Sequence, residues 1–131
     1  MREDQTSPRW KAVIEWFGYK PNFHDAEVLS IELRRAPECS IVRVHVWRTG
    51  REIDEKGYFL HDRHAIVSFI IKDIVRQELR DWNYQNVLSL LHVTDEPDGP
   101  TLTLEGIYGV EGDIVAREIS IEIEPFPQKS E

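Results

Sequence analysis

The sequence predicts a mainly β domain of the α+β class: a six- to seven-stranded twisted antiparallel sheet, or partly closed barrel, with one N-terminal helix packed on it. Three observations lead there. Apolar residues recur with a helical period only near the start, from Trp10 to Phe17. From Ala26 onward they recur at every second position, the alternation of a strand with one buried face. The alternating runs are joined mostly by short turns, and short connections impose antiparallel pairing, because parallel neighbours need crossovers of roughly a dozen residues.

The helix is expected over residues 7–17. Ser7 is a good N-cap, Pro8 suits the first helical position and Gly18 the stop after the last turn. Trp10, Val13, Ile14 and Phe17 share one face, which should lie on the sheet. The β region is expected over 26–124. Leu29, Ile31 and Leu33 alternate with Ser30, Glu32 and Arg34, and Val42, Val44 and Val46 with Arg43, His45 and Trp47. With the turn-like stretch 35–40 between them, these read as a hairpin. Thr49 to Asp62 reads as a long charged connection carrying Gly50 and Gly57, and a loop of that length is commonly functional.

Residues 65–71 are apolar on both faces except at Ser68, which predicts a central strand covered on each side. Asp73 to Trp82 fits either a short helix or an irregular edge strand. Val87 to Thr94 is again β, and Asp98-Gly99 is a tight-turn signal leading into Thr101 to Tyr108. After a turn over 109–112, Ile119, Ile121 and Ile123 point one way while Glu118, Ser120, Glu122 and Glu124 point the other. Pro125 and Pro127 end the last strand, and 126–131 is expected to fray.

A chain of 131 residues holds one domain, 1–131, since single cores run to about 100–200 residues. Cys39 is the only cysteine, so neither an internal disulfide nor a Cys-rich zinc site is expected. Met1 to Ser7 contains no apolar run of signal type, and no stretch reaches the roughly 20 apolar residues of a spanning helix. A cytoplasmic protein without a membrane role is expected. With 24 acidic against 16 basic residues and a net charge of −8, nucleic acid is not the expected partner, because a polyanion calls for a basic face. A basic protein fits the charge, which would speed encounter. Acidity also simply keeps a domain soluble, so charge alone selects no partner.

No catalytic residue and no cofactor are assigned. His24-Asp25 and His61-Asp62-Arg63-His64 contain metal-ligand and acid–base side chains. Neighbours on a strand point to opposite faces, however, and zinc needs three or four converging ligands. Structural hydrogen bonding is the expected role, with His24 donating to a backbone carbonyl and Asp25 capping the turn. A small-ligand or metal-binding module using His24, His61 and His64 is the alternative. Two acidic groups remain: Glu52, Asp54 and Glu55, followed by Tyr58 and Phe59, and the turn group Asp95, Glu96 and Asp98. Acidic rims around aromatic anchors suit a basic protein surface; equally, charged loops are commonly just solvated.

The segment Trp16-Phe17-Gly18-Tyr19-Lys20-Pro21-Asn22-Phe23-His24-Asp25-Ala26-Glu27-Val28 resembles the opening of the immunity protein 50 family of bacterial polymorphic toxin systems. Residues Asp54 to Tyr58, Trp82 to Leu88, Tyr108-Gly109 and Gly112 are similar to later stretches of that family, so the likeness runs from about Trp10 to Pro125. It implies a non-enzymatic protein that neutralises a cognate toxin by binding it, and it transfers no functional residue. On that reading Glu52, Asp54, Glu55, Tyr58 and Phe59 are the expected partner-binding residues, and the −8 charge suits a basic toxin. Oligomeric state stays open.

Overall fold

Alternating apolar side chains need a common dry side, and the strands supply it by curling into a ring. The structure, a computed structural model, describes residues 8–53 and 59–126. A 3-10 turn, Pro8–Trp10, leads into α1 (Lys11–Phe17). Then come β1 (Glu27–Glu32), β2 (Ser40–Ile53), β3 (Phe59–Arg80), β4 (Val87–Glu96), β5 (Gly99–Tyr108) and β6 (Glu111–Pro125). Neighbours are antiparallel in the order β1-β2-β3-β6-β5-β4, and β4 returns to β1. That return is thin, with one register pair, Glu27 opposite Val87. The expected antiparallel sheet with a packed helix is present, and its closure is ring-like rather than a full barrel.

Gly18 stops α1 as expected. It takes a left-handed φ of 86°, and its N–H donates to the Ile14 carbonyl at 2.7 Å, a conformation glycine adopts without steric cost. Ser7 and the tail from 127 lie outside the described residues. Trp10, Val13 and Phe17 are buried and Ile14 packs on the same core, so the helix presents the predicted face. Trp10 meets Phe23 at 5.9 Å and Phe69 at 6.0 Å, and Phe23 meets Phe69 at 5.9 Å. These three rings, from the 3-10 turn, the segment before β1 and β3, form one aromatic triangle inside the core.

The spine is β3. Its first half pairs with β2, placing Val42, Val44 and Val46 opposite Phe69, Val67 and Ala65, all buried. It pairs with β6 along nearly its whole length, from Ala65 opposite Pro125 to Arg80 opposite Glu111. The ambiguous stretch from Asp73 is therefore strand as far as Arg80. It is irregular, with a register shift between Ile74 and Arg76 and a positive φ at Asp73. Ile66 and Ile70 on the outer face are only half-buried, so the second face of this strand is not sealed as its composition suggests.

Two further expectations need correction. Thr49–Asp62 is not one long loop: β2 runs to Ile53 and β3 starts at Phe59, with Arg48 opposite Asp62, Thr49 opposite His61 and Ile53 opposite Phe59. A ladder already in register carries charged residues that would not start a strand alone, since strand propensity depends on context. In β1 the inward phase changes within the strand. Val28 is in the core, whereas Leu29 and Leu33 are exposed; Ile31, opposite Val42, packs on the core as expected. The register shifts between Val28 and Ser30, and a bulge changes which side chains face inward.

This difference is directly testable. Val28→Ser places a hydroxyl in the core and should cost about 2 kcal/mol or more, while Leu29→Ser should stay within about 0.5 kcal/mol of the parent. Urea denaturation midpoints of the two variants decide it, and equal losses would show that Leu29 faces inward.

Candidate functional site

The strand order sets a problem at one end of the ring. β3 and β4 are consecutive in sequence but separated by β6 and β5, so their connection must cross three strand spacings, about 14 Å. Its six residues, 81–86, reach at most about 20 Å when extended. The connection therefore has little slack, and it lies against the turn between β5 and β6.

Asn86 is the clasp. Its side chain is buried; Oδ1 accepts from the Asn83 N–H at 3.0 Å and the Val110 N–H at 2.9 Å, and Nδ2 donates to the Asn83 carbonyl at 2.9 Å. Its backbone carbonyl accepts from the Val28 N–H at 2.8 Å. One residue thus joins the crossing loop, the β5–β6 turn and β1. Gly109 makes room, because a Cβ there, at a φ of 88°, would collide with Asn86 Oδ1 and the Gln85 carbonyl oxygen.

The clasped loop holds aromatic side chains in water. Tyr84 is 87% exposed and Trp82 52%, and Ile107 and Tyr108 at the end of β5 are exposed as well. The Tyr84 and Tyr108 rings meet edge to face at 6.0 Å. A hydrogen bond with Tyr84, followed by partial desolvation, holds the Tyr108 phenol above its ordinary value. Single exposed apolar residues are common; several at one end of the sheet, two of them in ring contact, are the informative case.

On the other side of the seam, the turn before β1 has Phe23 at φ 69° and Asp25 at φ 70°. Asn22 rather than Asp25 caps it, its Oδ1 accepting from the His24 N–H at 2.9 Å. The Asp25 N–H donates to Leu88 and the Leu88 N–H to Ala26, at 2.8 and 2.9 Å. His24 is exposed rather than buried; its Nδ1 lies 3.3 Å from the Ser89 carbonyl and its Nε2 3.6 Å from Asp25. The strand argument against a His24–Asp25 contact fails because the two sit in a left-handed turn, yet an exposed pair of this kind contributes little. A recess of 510 Å³ borders this turn, with Lys20 and Trp47 among its walls. The Lys20 ammonium lies 4.4 Å from the Trp10 ring centre, and burial lowers its pKa.

The histidines fall into separate groups. His64 is 3.1 Å from His45, ring nitrogen to ring nitrogen, and His45 stacks on Phe126 at 3.9 Å beside Trp47. His24 sits with Asp25 and Ser89, and His61 is placed on β3 by its backbone. Among the described residues no three His, Cys, Asp or Glu side chains are arranged to hold a metal. Of the expected partner-binding residues, Asp54, Glu55 and Tyr58 lie outside the described residues; Glu52 and Phe59 sit near the facing ends of β2 and β3. Sequence reasoning assigned the Trp82–Tyr84–Tyr108 surface no role. The signal available was the run of aromatic and amide residues from Trp82 to Asn86, in a segment where no apolar period demands burial.

Comparison with protein-family models, curated proteins and solved structures finds no match.

Two measurements follow from this geometry. Asn86→Ala strips acceptors from the Asn83 and Val110 amides and should cost about 2–3 kcal/mol in urea unfolding; a loss within experimental error would show that the clasp is ornamental. His45 titrates below its ordinary 6.5 because burial, and then the charge of His64, disfavour its cation. The unfolded chain therefore takes up this proton first as the pH falls. The parent should lose stability relative to His45→Gln as pH drops below about 6.5, with no further relative loss once His45 is protonated in the fold as well. Parallel melting curves from pH 8 to pH 5, on the order of that range, report it.

Proposed function

We propose that this chain is a non-enzymatic binding protein of the immunity type, which neutralises a cognate bacterial toxin by covering it. The observation that carries the binding part is the exposure of Trp82 and Tyr84, on a loop that Asn86 and Gly109 fix in place, together with Ile107 and Tyr108 at the end of β5. Aromatic side chains supply much of the energy of protein interfaces. The net charge of −8 favours a basic partner and speeds encounter with it.

The toxin part rests on the resemblance of Trp16–Val28, Trp82–Leu88, Tyr108-Gly109 and Gly112 to the immunity family. In the fold the first three of these stretches meet at the β1–β4 seam. Val28 bonds to Asn86, Leu88 to Ala26, and Gly109 packs under Gln85 and Asn86. Their shared chemistry is that of closing a ring, as expected of a family whose common feature is a scaffold rather than a reaction. Glu52 and Phe59, near the facing ends of β2 and β3, together with Asp54, Glu55 and Tyr58 between them in sequence, are a second candidate for contact with such a partner.

The test needs a toxin domain from a neighbouring reading frame, and finding none there would itself count against the toxin reading. Co-expression should restore growth of cells producing that domain, and the two proteins should elute together in gel filtration. Growth arrest with no complex would remove the toxin reading. Charge reversal at Glu52, Asp54 and Glu55 together should slow association at low salt by about tenfold while leaving the melting temperature unchanged. An unchanged association rate would take these three carboxylates out of the interface.

A further inference from the structure

We propose that the Trp82–Tyr84–Tyr108 surface is a docking site for an arginine-rich segment of a protein partner, each guanidinium lying on an aromatic ring within an acidic rim. The proposal rests on the binding reading above and names the chemistry that this surface recognises.

Ring availability comes first. Tyr84 is 87% exposed and meets Tyr108 edge to face, which leaves ring face open to solvent, and Trp82 is exposed on the same loop. A flat cation stacks on such a face, and arginine does so more often than lysine because its guanidinium is planar and weakly hydrated. Charge comes second. The two stretches that carry these rings, 78–84 and 105–111, hold four carboxylates, Glu78, Asp81, Glu105 and Glu111, against one guanidinium. That guanidinium, Arg80, is engaged by Glu111 at 3.3 Å and by Glu78 at 4.0 Å. The stretches that carry the rings are thus net acidic, which favours a basic occupant over an acidic one. A second copy of this chain would bring the same acidic rim to an isologous contact and be disfavoured by it.

Preorganisation comes third. The loop is held by three hydrogen bonds to the Asn86 side chain, and the Asn83 side chain accepts from the Tyr84 N–H at 2.8 Å. The rings are therefore fixed before a partner arrives, which lowers the ordering cost of binding.

The experiment titrates oligoarginine and oligolysine peptides of equal length into the full chain and into Trp82→Ala/Tyr84→Ala, at physiological salt, by calorimetry. The substitutions change no charge, so plain electrostatic attraction survives them. Oligoarginine should bind the parent about tenfold more tightly than the double variant, and oligolysine should distinguish them by less than about threefold. Equal oligoarginine affinities would overturn the proposal, as would the absence of binding to the parent. Sedimentation is run on both proteins; a parent dimer that the substitutions dissociate would mean that the occupant is a second copy, which also overturns it. Should the double variant fail to fold, Tyr84→Ala alone carries the comparison, since its side chain is almost entirely in water. Growth rescue from a candidate toxin by the parent chain reports on the toxin reading independently, so that reading survives a negative peptide result.

Discussion

Phe23 holds a conformation that bulky side chains avoid, with φ at 69°, and the reason is the aromatic triangle it completes with Trp10 and Phe69. A backbone of this kind costs on the order of 1–3 kcal/mol. Burying a phenylalanine ring returns about 1.5–3 kcal/mol, and two tilted ring contacts add about 0.5–1.5 kcal/mol each. The balance favours the strained turn as long as both partners are present. The triangle therefore couples three parts of the chain that share no hydrogen-bonded ladder: the N-terminal helical turn, the segment before β1 and the middle of β3. With Phe23 pulled inward, His24 and Asp25 are turned out to solvent, and the Asp25 N–H and the Ala26 carbonyl are aimed at Leu88 of β4.

The seam depends on that aim. β1 and β4 share one register pair, too little to hold a ring closed by itself. What completes it is local: Asp25 and Ala26 bond to Leu88, and Val28 to Asn86. The same Asn86 anchors the crossing loop to the β5–β6 turn. Ring closure and loop placement are consequently one structural event. A weakened clasp disturbs the presentation of Trp82 and Tyr84 even though neither side chain contributes to the core.

Much of this was legible in the residues, and the failures have physical causes. The helix and its stop at Gly18, the inward valines of β2 and the isoleucine row of β6 follow from period and capping alone, because nothing nearby competes with them. β1 misleads in part because a bulge at Val28/Ser30 puts Val28 and Ile31 on the same inner side, and alternation carries no mark of an inserted residue. The charged residues from Thr49 to Ile53 and from Phe59 to Asp62 look like loop because composition reports solvation, whereas these strands are extended by ladders begun elsewhere. His24 and Asp25 defeat a strand argument because two left-handed residues, Phe23 and Asp25, replace the strand. The clasp was invisible for a different reason. An asparagine between loop and strand is an ordinary sequence feature; its two bonds to Asn83 are local, but those to Val110 and Val28 exist only once the sheet has brought the β5–β6 turn and β1 beside it.

The exposure of Tyr84 and Trp82 is the least expected consequence, since a polypeptide gains by covering such rings. Covering either by a local rearrangement would require the crossing loop to fold back, and a six-residue span over three strand spacings leaves little chain for it. Release from Asn86 would recover that length at the cost of an unpaired buried amide at Val110, about 1–3 kcal/mol. This is comparable with the gain from shielding part of one ring. Topology thus enforces the exposure: the strand order demands a crossing, the short crossing demands a clasp, and the clasp keeps the rings in water. A surface produced this way is rigid and apolar before any partner is present, which is the condition under which few contacts give a durable complex.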